Sequence, residues 1–248
     1  MRAERWGQAM AMDGPGERAP LRIWGRLSSI NVRKVVWCAQ ELGLAFQRTE
    51  AGGRFGVVQT PEYRALNPNA LVPTIEVDGD GDGDGDADAN VDAETSGGRF
   101  RLWESNVIVR YLCARHAPGD LYPELLPARF DAERWMDWQQ TTLNPAGREA
   151  FIQWVRTPAE RRDAAAAERS VRAAEPRFAL LDAHLATRSF IAGERFTMAD
   201  IPIGCELHRW FGLPAALYAR PVWANLERYF ASLRERPAAR GVLDLVVE

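Results

Sequence analysis

Residues 71–75 read Leu-Val-Pro-Thr-Ile and residues 103–106 read Trp-Glu-Ser-Asn, and these two stretches decide the fold. The first puts a proline at the head of an apolar strand, and the second puts a glutamate and a serine where the next strand ends. A proline at a strand entry is tolerated at an edge or a bend, because it cannot donate to the ladder. Val72-Pro73 is either an ordinary strand entry or a cis peptide that presents the free backbone N–H and C=O of Val72. We predict the cis peptide.

Short strands and amphipathic helices surround these two stretches. Val32, Val35, Val36 and Ala39 fall on one helical face, and Gly43 is a typical C-terminal stop. The order β-α-β-α-β-β-α predicts a thioredoxin-like α/β domain, a mixed sheet covered by helices. The predicted elements are a strand at Leu21–Trp24, a helix at Asn31–Leu42, a strand at Phe46–Thr49, a helix capped by Thr60 with Pro61 first, hairpin strands at Val72–Val77 and Phe100–Trp103, and a helix from its cap Ser105 to about Arg115.

The second half of the chain predicts an all-α domain. We place the thioredoxin-like domain at residues 20–116, a linker at 117–127 and the helical domain at 128–248. The expected helices are a long aromatic one at Phe130–Trp154 kinked by Pro145, one at Ala159–Thr187, and one at Pro221–Arg236. Thr197 and Asp200 form a predicted capping box, in which each side chain accepts from the backbone N–H of the other.

Two segments have the composition of disordered chain. Residues 79–98 alternate glycine and aspartate between the hairpin strands, and residues 1–19 lack the apolar run of a signal peptide. A calcium loop that starts at Asp80 has its glycine at Gly85, but the twelfth position holds Val91 instead of glutamate. We therefore expect no specific calcium site in this insertion.

Composition restricts the class of partner. A net charge of −3 argues against a nucleic-acid surface, and no apolar run approaches the roughly 18 residues of a membrane helix. The three cysteines (Cys38, Cys113 and Cys205) are widely spaced and form no C-x-x-C motif, so we expect packing residues, no metal site and a cytoplasmic location.

Three segments carry groups that suit the recognition of a small peptide. Ser28, Ser29 and Asn31 lie where a helix begins and its N-terminus favours an anion, although either Ser29 or Asn31 also fits a simple helix cap. Backbone groups of Val72 can pair with an extended peptide. Glu104 can attract an ammonium group, and Ser105 at a helix start can attract a carboxylate, so the pair suits the head of an α-amino acid.

In order and spacing, Leu21–Leu44, Asn67–Val77 and Leu102–Leu112 resemble the glutathione-binding domain of cytosolic glutathione transferases, and Phe196–Gly204 resembles a segment of their helical domain. The likeness is to bacterial serine-type members, theta-, zeta- or nu-like. It implies glutathione as co-substrate without a metal, a small electrophile as second substrate, and a homodimer. The resemblance implies that Ser29 carries the catalytic hydroxyl, with Ser28 as the alternative, and that Asn31 lies beside the sulfur. It implies that Val72-Pro73 binds the cysteinyl backbone and that Glu104 and Ser105 bind the γ-glutamyl head. The glycine end is expected to contact Asn69 or Arg54.

The electrophile is expected in a pocket between the two domains. Its candidate walls are Trp138, Thr141, Asn144, Arg148, His208 and Trp210, each of which also fits an ordinary helical-core or solvent-facing residue. The leading interpretation is conjugation of glutathione to an electrophile. The alternatives are a glutathione-dependent reductase of disulfides or peroxides, which Asn31 favours, and a non-catalytic adaptor or ligand-binding protein on the same fold.

Overall fold

A computed structural model describes residues 21–78 and 99–248 and has the predicted thioredoxin-like sheet. The four strands lie in the order β2-β1-β3-β4. Strand β1 pairs in parallel with β2 and antiparallel with β3, and β3 pairs antiparallel with β4, with Thr74 opposite Trp103. The expected disorder of 1–19 and 79–98 concerns residues outside those described. The strands are β1 (Leu21–Trp24), β2 (Phe46–Thr49), β3 (Thr74–Asp78) and β4 (Arg99–Trp103).

The described part of this domain also contains the α-helices α1 (Ile30–Glu41), α2 (Pro61–Leu66) and α3 (Ser105–His116). Helix α1 packs against α3. The predicted cap of α2 is confirmed, since the Thr60 hydroxyl accepts from the Tyr63 N–H at 3.3 Å. The cap predicted for α3 is wrong by one residue: Glu104 occupies the N-cap position with a left-handed φ of 73°, and Ser105 is the first helical residue. Val72-Pro73 is cis, as predicted, and β3 begins only at Thr74.

The second half is all-α, as predicted. Its helices are α4 (Leu126–Trp138), α5 (Asn144–Phe151), α6 (Ala164–His184), α7 (Asp200–Phe211) and α8 (Ala224–Arg234). The predicted kinked helix is a continuous helical run in which α4 and α5 are joined by a π-helical turn, Gln139–Leu143. A second π-helical turn, Ile152–Arg156, follows α5. Pro145 lies two residues after the end of the first π-helical turn, and this wider turn accommodates a residue that cannot donate a backbone hydrogen bond. In the described part of the chain, no helix is long and apolar enough to cross a bilayer.

The capping box at the start of α7 is only half as predicted. The Asp200 carboxylate accepts from the Thr197 N–H at 2.8 Å, but the Thr197 hydroxyl accepts from Ala199. The Asp200 N–H instead bonds the Thr197 carbonyl oxygen at 3.1 Å. Asp200 also accepts from the Ile191 N–H and the Tyr229 hydroxyl, so this carboxylate ties α7 to α8 and to the loop before it.

A buried histidine on α7 fastens the last residues of the structure against α1. Arg33 Nη1 lies 2.5 Å from His208 Nδ1, and His208 Nε2 lies 2.7 Å from the carbonyl oxygen of Leu245. A guanidinium can only donate, so Nδ1 accepts and the proton resides on Nε2. The bonding pattern therefore requires a neutral imidazole. Burial, and next the charge of Arg33, lower the pKa of His208 to about 4.

This arrangement predicts acid lability. The folded pKa of about 4 lies below the ordinary value of 6.5, so the unfolded chain binds the proton more readily between these two values. The stabilisation is complete above pH 6.5 and is lost as the pH falls through 4, by roughly 3.5 kcal/mol at about 1.4 kcal/mol per pKa unit.

His208→Gln is the matched variant, because glutamine can accept from Arg33 and donate to Leu245 without titrating. We expect the two proteins to have equal free energies of unfolding in urea at neutral pH. As the pH falls below neutral, the free energy of unfolding of the wild type should drop increasingly below that of His208→Gln. If the free energies of unfolding of the two proteins depend on pH in the same way down to pH 4, then His208 does not titrate with unfolding.

Candidate active site

The turn from β1 into α1 presents two serines and an asparagine at the start of a helix. Ser29 occupies the N-cap position with an extended backbone, yet its hydroxyl makes no capping hydrogen bond. The turn is held instead by backbone bonds, from the Ser29 N–H to the Arg26 carbonyl and from the Arg33 N–H to the Ser29 carbonyl. Asn31 Oδ1 is buried and has no partner in the part of the chain described. This turn therefore offers polar groups that the fold itself does not use.

These residues line a cavity of about 150 Å³ between the two domains. Ser28, Ser29 and Asn31 form one wall, and three of the predicted electrophile-pocket residues, Asn144, Arg148 and His208, also line it. The structure therefore brings together six predicted residues from the turn before α1, from α1, from α5 and from α7.

Three other candidates for the pocket wall do not line this cavity. Trp210 is 2% exposed, and its ring packs against Phe178 with ring centroids 4.7 Å apart. Trp138 packs edge-to-face on Trp135, and the Thr141 hydroxyl donates to the Asp137 carbonyl. The buried residues of the π-helical turn are Gln139 and Leu143, whereas Thr141 is exposed.

Several residues of this cavity were not predicted from the sequence. Arg33, Phe151, Ile152, Arg156, Cys205 and Arg209 also line it. One signal was present: Asn144, Arg148, Ile152 and Arg156 recur every four residues, the spacing of one helical face. Burial raises the pKa of the Cys205 thiol to about 12, so this sulfur stays protonated and is a poor nucleophile.

The backbone around Val72 forms a second polar region next to the serine turn. Among the described residues, neither the N–H nor the C=O of Val72 has a hydrogen-bond partner. Its neighbour is fixed, since the Leu71 carbonyl accepts from the Tyr63 hydroxyl at 2.6 Å and from Asn67 Nδ2 at 3.0 Å. Gly25 has a φ of 147°, and a Cβ there would lie 3.2 Å from the Val72 Cβ, so glycine allows the two segments to meet.

The Glu104-Ser105 pair lies at the end of β4. Glu104 is exposed, with a left-handed backbone that is strained for a residue bearing a Cβ, and Ser105 is buried in the first turn of α3. An exposed carboxylate beside a helix N-terminus can receive both charges of an amino-acid head.

The two residues predicted for a ligand's glycine end are less well placed to bind it. The Asn69 amide donates to Asn67 Oδ1, and the Arg54 guanidinium stacks on Phe55. The Arg26 guanidinium lies against Gly52 and Gly53, close to Val72. Arg26 is therefore a cation near Val72 that was not among the predicted site residues.

Comparison with known proteins agrees with this geometry. Residues 28–115 match the family described as glutathione S-transferase, N-terminal domain, and residues 144–237 match glutathione S-transferase, C-terminal domain. The chain is 37% identical to glutathione S-transferase GstB of Escherichia coli over 227 residues, which cover 92% of this chain and 99% of that protein.

Two solved structures extend the comparison. A theta class glutathione S-transferase of Xanthomonas axonopodis pv. citri, crystallised with glutathione bound, is 40% identical and superposes with a TM-score of 0.81 over 93% of this chain and 100% of its own. A glutathione transferase of Burkholderia graminis, with two glutathione molecules bound per subunit, is 25% identical with a TM-score of 0.75 over 92% of this chain and 88% of its own. The chain belongs to the glutathione S-transferase family.

Proposed function

We propose that this protein conjugates glutathione to a small electrophile and that Ser29 stabilises the reacting thiolate. The observation that carries the proposal is the Ser29 hydroxyl, which lies at the N-terminus of α1, is not used as a cap and lines the interdomain cavity. The free backbone groups of Val72 suit the cysteinyl residue, and Glu104 with Ser105 suits the γ-glutamyl head. Arg26 is the proposed partner of the glycine carboxylate.

The chemistry follows from the acidity of the thiol. A free thiol has a pKa near 8.5, so little thiolate exists at pH 7. A hydroxyl donor, the helix N-terminus and the guanidinium groups of the cavity all favour the charged sulfur. Lowering the thiol pKa by about two units requires roughly 2.7 kcal/mol of differential stabilisation. The thiolate then attacks the electrophile, while Ser29 donates a hydrogen bond and forms no covalent bond.

Ser29→Ala tests the role of the hydroxyl. One charge-assisted hydrogen bond is worth about 1.5–3 kcal/mol, so kcat/KM near pH 7 should fall by roughly ten- to hundredfold. The apparent pKa of bound glutathione should rise, as read from the ultraviolet thiolate band. Glutathione affinity should change less, because Val72, Glu104 and Ser105 hold the rest of the tripeptide.

Three variants serve as comparisons. Arg26→Gln should mainly weaken glutathione binding and change the thiol pKa less, whereas Ser29→Ala should mainly raise the thiol pKa and change glutathione binding less. If Ser28→Ala or Asn31→Ala abolishes turnover while Ser29→Ala retains it, the role of Ser29 passes to that neighbour. Full activity in Ser28→Ala, Ser29→Ala and Asn31→Ala would contradict thiolate stabilisation by this turn.

We further propose a homodimer that covers apolar side chains of β4, α3 and α4. Trp103, Val107 and Phe130 are exposed by 39%, 43% and 61%. These elements are neighbours: α3 packs on β4, and Arg110 of α3 pairs with Asp137 of α4. Exposed apolar patches of this kind are typical of association surfaces.

Phe130→Glu should shift the sedimentation velocity profile from dimer to monomer, because a charge in an apolar contact opposes association. Val222→Glu is the matched control, since Val222 is also exposed (81%) but lies ahead of α8. A monomeric wild type, or equal dissociation in both variants, would contradict the proposed interface.

The proposal includes a cytoplasmic location. Cys38 and Cys113 are free, buried thiols whose sulfur atoms lie 3.6 Å apart, an arrangement that suits a reducing compartment. Cell fractionation with an antibody to the full chain checks the location, and recovery in an oxidising compartment would contradict it.

A further inference from the structure

Two arginines from different domains hold the backbone immediately ahead of Ser29. Arg33 of α1 donates from Nε to the Leu27 carbonyl oxygen at 2.6 Å. Arg156, in the π-helical turn after α5, donates from Nη2 to the Ser28 carbonyl oxygen at 2.9 Å. Each of the two peptide units that lead into Ser29 therefore has its oxygen bound by a guanidinium group.

The peptide unit between Ser28 and Ser29 is held at both ends. Its carbonyl oxygen accepts from Arg156, and its N–H, which belongs to Ser29, donates to the Arg26 carbonyl oxygen at 3.1 Å. A peptide unit is planar, so bonds at its two opposite ends fix the orientation of the plane. The Cα of Ser29 is attached to this plane, and the direction of its side chain therefore depends on the bond from Arg156.

The same two arginines also hold residues 245–248, the last residues of the structure. Arg33 Nη2 donates to the Val246 carbonyl oxygen at 3.1 Å, and Arg156 Nη2 donates to the backbone oxygen of Glu248 at 3.3 Å. Among the described residues, no backbone hydrogen bond joins this segment directly to the serine turn. The two guanidinium groups therefore link the segment to the turn.

The segment is in turn packed against α7. His208 Nε2 lies 2.7 Å from the Leu245 carbonyl oxygen, and the Val247 side chain packs on Gly212 at the end of α7. A Cβ at Gly212 would lie 3.0 Å from the Val247 Cβ and would collide with one of its methyl groups, so glycine permits this contact. The segment therefore gives the Arg156 guanidinium an acceptor with a fixed position.

Arg156 is held by backbone oxygens and not by a carboxylate in the described part of the chain. Its guanidinium lies 4.6 Å from the ring centroid of Phe151. Partial burial lowers the pKa of Arg156, and the charges of Arg26, Arg209 and Arg148 lower it further. The two backbone acceptors offset this repulsion, because hydrogen bonds from an ionised donor are stronger than neutral ones.

We propose, on the basis of the proposed function, that Arg156 is a positioning residue for Ser29. Its guanidinium bridges the Ser28 carbonyl oxygen to residues 245–248 and so directs the Ser29 hydroxyl at the sulfur of glutathione. In this role Arg156 acts on the thiol through Ser29, so its effect requires the hydroxyl. The bridge needs both acceptors, because the loss of either one frees the guanidinium to turn.

Titration of the bound thiol measures this effect without a choice of electrophile. The full chain is saturated with glutathione, and the ultraviolet thiolate band gives the pKa of the bound thiol. Arg156→Met removes the donors and keeps the aliphatic stem beside Phe151. We expect the thiol pKa to rise by about 0.5–1 units, part of the rise in Ser29→Ala, because the hydroxyl remains but is no longer directed.

Arg148→Met is the matched control for charge. Arg148 lines the same cavity but makes no hydrogen bond to the serine turn in the described chain. Loss of an exposed charge is largely screened by solvent, so the thiol pKa should rise less than half as much as in Arg156→Met. In a Ser29→Ala background, the rise caused by Arg156→Met should fall to the value for Arg148→Met, since only the charge then remains to be lost.

Gly212→Ala tests the support of the bridge while it leaves every charge in place. The backbone φ of Gly212 is −83°, which alanine adopts without strain, but the new methyl group displaces Val247 and with it residues 245–248. We expect the thiol pKa to rise, as in Arg156→Met. In a Ser29→Ala background, Gly212→Ala should leave the thiol pKa unchanged.

The outcomes separate the two proposals. An equal rise in Arg156→Met and Arg148→Met, or a rise in Arg156→Met that persists in full without the Ser29 hydroxyl, would overturn the positioning role and leave glutathione conjugation standing. A rise in Ser29→Ala with none in Arg156→Met would do the same. No rise in Gly212→Ala would overturn the bridge to residues 245–248, which the proposal requires. A thiol pKa unchanged in Ser29→Ala, or a wild type that binds no glutathione, would overturn both proposals.

Discussion

The fully buried ammonium group of Lys34 is the constraint on which the domain arrangement depends. An unpaired charge in the interior costs several kcal/mol, so Lys34 must have polar partners wherever α1 packs. It donates to Gln139 Oε1 at 2.7 Å and to Gln140 Oε1 at 3.0 Å, both on the π-helical turn of the helical domain. Burial lowers the pKa of Lys34 to about 8, while Glu206 acts in the opposite direction. The first turn of α1 is thereby fixed against the second domain.

The same chain of hydrogen bonds continues to the cavity. Gln139 Nε2 donates to Glu206 Oε2 at 2.8 Å, Glu206 pairs with Arg209, and Arg209 donates to Asn144 Oδ1 at 2.8 Å. One connected network therefore orients a cavity arginine and a cavity asparagine from a lysine in the other domain. Side chains in such a network hold their geometry better than isolated ones, since each restrains the next. The cavity wall is thus set by the contact that joins the domains.

Features that depend on neighbours in the sequence were predictable. Strands β1 and β2, the cap at Thr60 and the cis Val72-Pro73 bond are local, and the sequence pattern identified each. Features that depend on tertiary packing were not. Trp210 is core because Gly147 faces its ring, with the position of a Cβ only 3.2 Å away, and no local pattern reveals this contact. The shift of the α3 cap to Glu104 depends on a backbone φ of 73°, which the presence of a glutamate in the sequence does not predict.

Two unfavourable features occur at the proposed ligand-binding regions: the strained backbone of Glu104 and the buried Oδ1 of Asn31, which has no partner among the described residues. Strain and unpaired polar groups each reduce stability by about 1–3 kcal/mol when buried, so their retention needs a compensating role. A protein that only used this fold to contact a partner would gain nothing from polar groups aimed into an interdomain cavity. A ligand that donates a hydrogen bond to Asn31 Oδ1 would supply its missing partner. The pattern therefore weighs for a protein that binds small molecules in the cavity and against a non-catalytic adaptor.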